Sequence, residues 1–166
     1  MIRAATRTDL QAIGEMIERV KLKMKQEGIE QWDEHYPTVK HYEEDLHNGR
    51  LYVFDSDGSI RGVICISDQG HHEYEEIPWT YDEPYYCLKR LAVDPLAQNE
   101  GIGHQFYQFA EKVAMDNGVY YICTDTNEHN PSAQKLFIKS GYNLVQTAAI
   151  GGHETNYCYY EKKLNP

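Results

Sequence analysis

The stretch Leu91-Ala92-Val93-Asp94-Pro95-Leu96-Ala97-Gln98-Asn99-Glu100-Gly101-Ile102-Gly103-His104 constrains this chain more than any other. An apolar run that reads as a strand ends at Val93, and Pro95 with the polar Gln98, Asn99 and Glu100 break it. Two glycines one residue apart then open a segment in which Ile102, Phe106, Phe109, Ala110, Val113 and Ala114 recur at helical spacing. Strand, glycine turn and helix make an anion-binding arrangement. The first amides of a helix lack internal partners, the helix dipole adds positive partial charge there, and glycine admits a phosphate where a Cβ would stand. The carrier that fits is a diphosphate.

His104 and Gln105 follow the second glycine, whereas a triphosphate P-loop needs Gly-Lys-Ser/Thr. Phe106 stands where the dinucleotide fingerprint requires its third glycine. The pattern that remains is Gln98-x-x-Gly101-x-Gly103.

The rest of the chain supplies the frame. Residues 2–6 read as a first strand. Thr8-x-x-Gln11 reads as a capping box for a helix to about Gln26, with Leu10, Ile13, Ile17, Val20 and Met24 on one face and Gly28 as its stop. Residues 28–37 are irregular and carry Trp32 and Tyr36, which either staple the loop to the core or form one wall of a substrate pocket. Thr38 caps a second helix to about His47. Residues 51–55 and 60–67 form a hairpin about Asp57-Gly58, and residues 68–84 are a long polar segment with Tyr74, Trp79 and Tyr81. A central strand over 85–93 leads into the glycine loop, and its helix ends near Asn117-Gly118. A further strand over 119–125 makes this a crossover between parallel strands. Asn130 caps a last helix with Pro131 at its first position, Gly141 ends it, and two closing strands over 142–148 and 155–164 pair around Gly151-Gly152. The result is a mixed α/β fold in a single domain over 1–166, with a central sheet of about seven strands and helices on both faces.

The 166 residues carry a net charge of −10, which argues against nucleic acid and suits a cationic substrate. No apolar run approaches the length of a membrane span, and the first residues show no signal-peptide core, so a cytoplasmic chain is expected. Cys65, Cys87, Cys123 and Cys158 fall in apolar, strand-like runs and read as buried free thiols. The histidines show no metal spacing, and His71-His72 beside Glu73 reads as a solvated loop; no metal is expected.

The glycine pattern resembles the acetyl-CoA loop of the GNAT acetyltransferase superfamily. Asn130-Pro131-Ser132-Ala133, followed by Leu136-Phe137 and Gly141-Tyr142, resembles its second motif, in order and on the matching elements. The segments Gly28-Ile29-Glu30-Gln31-Trp32 and Lys89-Arg90-Leu91-Ala92-Val93-Asp94-Pro95 resemble a group of small bacterial members. The resemblance implies acetyl-CoA as co-substrate and acetyl transfer to a primary amine of a small acceptor, with a non-catalytic acyl-CoA-binding regulator as the alternative; a homodimer is left open. It implies that the backbone of Leu91, Ala92 and Val93 meets the pantetheine arm. Gln98, Asn99, Glu100, Gly101, Ile102, Gly103 and His104 would hold the pyrophosphate, and Asn130 and Phe137 would flank the arm. Two familiar catalytic positions are altered. The tyrosine acid of the second motif is Phe137, and the glutamate base that one branch carries six residues before the end of the central strand is Cys87. Position alone leaves Glu83 or Asp125 as base and Tyr85, Tyr86 or solvent as acid. An acceptor pocket for a cation is expected from Trp32 and Tyr36 together with Trp79 and Tyr81, beside acidic residues on the same two loops.

Overall fold

A computed structural model describes residues 1–166. In chain order the elements are β1 (Ile2–Ala4), α1 (Leu10–Gln26), α2 (Val39–His47), β2 (Leu51–Ser56), β3 (Ser59–Ser67), β4 (Tyr86–Val93), α3 (Ile102–Asp116), β5 (Tyr121–Asn127), α4 (Pro131–Lys139), β6 (Asn143–Ala148) and β7 (Tyr157–Lys163). Short 3-10 turns lie at Arg7–Asp9, His72–Glu76 and Pro95–Ala97. The strands make one seven-stranded mixed sheet in the order β1-β2-β3-β4-β5-β7-β6, in agreement with the fold read from the sequence. Two compact units divide the chain: Met1–Ile66 with Lys89–Phe106, and Ser67–Leu88 with Tyr107–Pro166. β4 and α3 each contribute residues to both.

In the first unit, helical spacing puts Leu10, Ile13, Met16, Ile17 and Val20 on one stripe of α1, and all are buried with Tyr42, Leu51, Val53, Ile60 and Val63. Each such side chain contributes about 1.5–3 kcal/mol on burial. The start of α1 differs from expectation. Thr8 is not its cap: the Asp9 carboxylate accepts from the Thr6 N–H at 2.7 Å and is gripped by the Arg3 fork at 2.8 and 2.9 Å, so the chain turns earlier, in 3-10 geometry. Those Arg3 hydrogen bonds hold the Asp9 carboxyl below its usual range. Asp57 and Gly58 both take positive φ, at 52° and 91°, the left-handed pair that a two-residue hairpin between twisted strands requires.

In the second unit, β5 is paired on both sides and Tyr121, Ile122, Cys123 and Thr124 are all buried, which explains its unbroken β-branched and aromatic character. It runs later than the expected 119–125. The Val119 N–H closes α3 on the Ala114 carbonyl at 2.9 Å and so is taken from the strand, while Asn127 still pairs with Tyr157. Residues 68–84 are less polar in role than in composition. Their 3-10 turn buries Glu73 and Tyr74, and Tyr74 and Ile77 pack with Cys87, Tyr121, Cys123 and Tyr159. The expected solvated loop at His71-His72-Glu73 is therefore corrected at Glu73, which is 2% exposed.

The Tyr142 hydroxyl is buried with no hydrogen-bond partner. A desolvated, unpaired hydroxyl opposes folding, so Tyr142→Phe should leave stability unchanged or raise it by up to about 1 kcal/mol. Urea unfolding checks this, and a loss of similar size would show that the hydroxyl contributes a bond after all.

Candidate active site

The glycine loop belongs to the first unit. Asp94, wholly buried, ends β4 and accepts from the Leu96 N–H at 3.0 Å, which sets the turn after the strand. Arg19 of α1 donates to its carboxylate at 2.8 Å and Arg61 of β3 lies at 3.5 Å. Burial pushes the Asp94 carboxyl up, but the Arg19 and Leu96 hydrogen bonds outweigh it and the net direction is down. Beyond the turn, Gln98, Asn99, Glu100 and Gly101 are exposed, and Asn99 and Gly101 take φ of 69° and 76°. Left-handed residues interspersed in a loop can turn successive amides toward one side, and these two stand directly before the 15-residue α3. A Cβ built on Gly101 meets nothing within 4 Å, so space stands open above the loop. The Lys23 ammonium, bonded to the Gln98 side chain, adds a cation at its edge. Donor amides, open space and a lysine fit a diphosphate. Ala92 and Ile102 have buried side chains, so only their backbone can serve a ligand, whereas Leu91, Val93, Gly103 and His104 are half-buried.

β4 reaches this loop through a left-handed residue. Arg90 has φ of 51°, rare for a residue with a Cβ, and its surroundings hold it there. Its guanidinium donates to both Asp45 oxygens, at 2.7 and 2.5 Å, and to the Tyr36 hydroxyl at 3.0 Å; its carbonyl accepts from the Tyr42 hydroxyl at 3.1 Å. Tyr36 is thus a support of β4. Trp32, 9% exposed, is packed into the core of the first unit, so of its two readings from the sequence the core staple holds and the expected substrate contact is corrected.

In the second unit, β4 pairs with β5 over Tyr86, Cys87 and Leu88, and the Thr124 hydroxyl donates to the Leu88 carbonyl at 3.0 Å where that ladder ends. Asp125 follows directly on β5 and accepts from the Tyr74 hydroxyl; the Cys87 thiol donates to the same hydroxyl at 3.5 Å. Around Tyr74 stand Trp79 at 5.1 Å, Tyr159 at 5.8 Å and Tyr85 at 6.2 Å between ring centroids. Trp79 and Tyr85 are half-buried, and Trp79 is oriented by its indole N–H on the Tyr74 carbonyl at 2.8 Å. Burial pushes the Tyr85 hydroxyl up to about 12, so it is protonated at neutral pH.

Glu83 is ion-paired with Lys163, whose ammonium also lies 5.3 Å from the Tyr81 ring centroid. Both groups stay open to solvent, the Glu83 side chain at 33% and Tyr81 at 42% exposure. Phe137, 2% exposed, is enclosed by Tyr107, Tyr142 and Tyr160, which makes it a core side chain instead of a cofactor contact. Asn130 caps α4, accepting from the Ala133 N–H at 3.3 Å. The sequence reading missed Tyr85's neighbours Tyr74 and Tyr159 as a group, the Arg90–Asp45 pair, and Lys23. Only the residue types carried a signal: an arginine inside an otherwise apolar strand asks for a buried partner.

The sequence profile described as the acetyltransferase (GNAT) family matches residues 16–142. The chain belongs to the GNAT acetyltransferase family. It is an acyltransferase, and GNAT acetyltransferases use acetyl-CoA. Similar solved structures include a GNAT-family acetyltransferase from Streptococcus agalactiae 2603, with TM-score 0.87, 23% identity and coverage of 100% of this chain and 96% of that one. A Staphylococcus aureus Mu50 chain designated an acetyltransferase gives TM-score 0.77 and 27% identity, with 99% of each chain covered. A Salmonella typhimurium chain with the same designation, solved with its cofactor acetyl-CoA, gives TM-score 0.72 and 16% identity, covering 100% of this chain and 94% of that one. No curated protein matches the sequence. No helix is long and apolar enough to cross a membrane, and no group of three or more His, Cys, Asp or Glu side chains is placed to hold a metal ion.

Proposed function

We propose that this GNAT enzyme moves the acetyl group of acetyl-CoA to the primary amine of a small cationic acceptor in the cytoplasm. The observation that carries the cofactor half is the loop 98–103, with left-handed Asn99 and Gly101 opening α3 beside Lys23. Its amides would hold the pyrophosphate, and the backbone of Leu91 and Val93 would pair with the pantetheine arm like an added strand.

The acceptor half rests on the aromatic group of the second unit. Trp79 and Tyr85, both half-buried, stand against Tyr74, whose hydroxyl holds the Asp125 carboxylate; aromatic rings beside a carboxylate attract an ammonium by cation–π and charge pairing. In this reading Asp125 anchors the ammonium and Tyr85, held protonated, is the acid for the departing sulfur. Chain acidity steers a cation inward, and the net charge of −10 disfavours nucleic acid as a partner.

The test is release of CoA thiol from acetyl-CoA against propylamine, phenethylamine, spermidine and lysine amide, with product confirmed by mass. Trp79→Ala should raise the acceptor KM by about tenfold, the loss of roughly 1–2 kcal/mol of cation–π contact, and leave the acetyl-CoA Kd unchanged. An anionic best acceptor, or wild-type kinetics in the variant, would remove this subsite.

A further inference from the structure

An ammonium bound beside a carboxylate holds its proton more tightly, so acetyl transfer needs a separate group to take that proton. The second unit contains one that the sequence reading did not single out. Glu73, 2% exposed, is a buried carboxylate, and its Oε2 faces His153 Nε2 at 2.9 Å and the Tyr159 hydroxyl at 3.4 Å. His72 Nδ1 lies 3.9 Å from its Oε1. The His153 side chain is 33% exposed and its ring is stacked on Tyr157 with centroids 4.0 Å apart. A buried carboxylate on one ring nitrogen fixes the imidazole's orientation and makes that nitrogen the proton-bearing one; the other, Nδ1, then carries the lone pair.

The position suits the chemistry. Ligands of open α/β sheets bind beyond the carboxyl ends of parallel strands, and β5 is such a strand. The loop bearing His153 is tied to that end of β5. Asn127 pairs with Tyr157, its side-chain amide donates to the Thr155 hydroxyl at 2.8 Å, and the Glu128 N–H donates to the Asn156 carbonyl at 3.1 Å. Tyr159 links the two carboxylates: its hydroxyl donates to Glu73, and its ring packs on Tyr74, whose hydroxyl holds Asp125, and on Trp79. Gly151 makes the approach feasible, since a Cβ there would stand 2.8 Å from the Glu73 Cβ.

We infer that His153, oriented by Glu73, is the general base that deprotonates the acceptor ammonium, in place of the glutamate that the Cys87 position lacks. The inference rests on the proposed amine acetylation. One ammonium proton goes to Nδ1. The neutral nitrogen bonds to the thioester carbonyl carbon, and the C–S bond breaks with the electron pair staying on sulfur. Tyr85 gives its proton to that sulfur and recovers one from the nitrogen, and the imidazolium returns its proton to water. Glu73 is the positioning residue, and the charged or titratable groups around the imidazole are Glu73, His72, Tyr157 and Tyr159.

The experiment is the pH dependence of kcat/KM for phenethylamine in the parent, His153→Gln and Glu73→Gln, with acetyl-CoA binding measured in each by calorimetry. Glutamine keeps an N–H for Glu73 but cannot take a proton. His153→Gln should lower kcat/KM by about 10²–10⁴-fold at pH 7 and recover toward the parent as the pH nears the amine's own pKa, with acetyl-CoA binding unchanged. Glu73→Gln, which loosens the imidazole without removing it, should lower kcat/KM by a smaller factor than His153→Gln does. In parallel, ¹⁵N imidazole shifts of the ligand-free parent should show His153 protonated on Nε2, and Glu73→Gln should release that preference. A parental profile in His153→Gln, an equal loss at every pH, or a parent tautomer with the proton on Nδ1 overturns the assignment while leaving amine acetylation standing. A parent enzyme that acetylates no amine of the panel overturns both.

Discussion

Asp45→Ala is expected to cost about 3–5 kcal/mol of unfolding free energy, a large share of the roughly 5–15 kcal/mol that holds a folded protein together. Asp45 and Arg90 are nearly buried, with side chains 8% and 11% exposed. Burial lowers the Arg90 pKa, but the Asp45 hydrogen bonds outweigh it and the net direction is up. Truncating Asp45 leaves a guanidinium in the interior with the Tyr36 hydroxyl as its remaining side-chain acceptor, and it frees the left-handed Arg90 to relax. In urea the midpoint should fall with little change in m. The double variant Asp45→Leu with Arg90→Met should recover most of the loss, since the cost comes from an unpaired charge. A single-variant loss under about 1 kcal/mol would mean that water reaches Arg90 and the pair is a surface one in effect.

Gly103→Val should weaken acetyl-CoA binding by about 100-fold or more while leaving the melting temperature close to that of the parent. Gly103 lies inside α3, where valine is no worse a helix former than glycine, so the backbone carries no penalty. The branched side chain would stand over the first amides of the helix and keep a pyrophosphate from reaching them. Gly101→Ala separates space from strain. Gly101 has φ of 76° and open space at its Cβ position, so alanine there costs about 1–2 kcal/mol of conformational energy with no steric block. Calorimetry with CoA reads both. Parental affinity in Gly103→Val would place the diphosphate elsewhere.

The fold was largely legible because its signals are local. The α1 stripe, the Asp57-Gly58 turn, the Thr38 and Asn130 caps and the Gly118 and Gly141 stops each act over a few residues, and the structure retains them. The start of α1 was not legible: the sequence pattern points to Thr8-x-x-Gln11, but Arg3, by donating to both Asp9 oxygens, makes Asp9 the residue that sets the turn. The glycine loop was readable for the same local reason. The polar side of the site was not, because its partners lie far apart in sequence: Tyr74 with Asp125, Glu73 with His153, Glu83 with Lys163, Arg90 with Asp45. Composition alone presented residues 68–84 as solvated acids, and only the packing of Tyr74 and Ile77 shows which of them turn inward.

Cys65, Cys87, Cys123 and Cys158 are all buried, and desolvation pushes the Cys65 thiol up to about 12 and Cys123 higher still. A thiol shielded from solvent is out of reach of disulfide dyes and alkylating agents, and where burial also holds it protonated, as at Cys65 and Cys123, the reactive thiolate is missing as well. The folded enzyme is therefore chemically silent toward the reagents that detect free CoA. Colour developing in such an assay counts turnover, and an unexplained excess of up to four equivalents per chain counts unfolded protein.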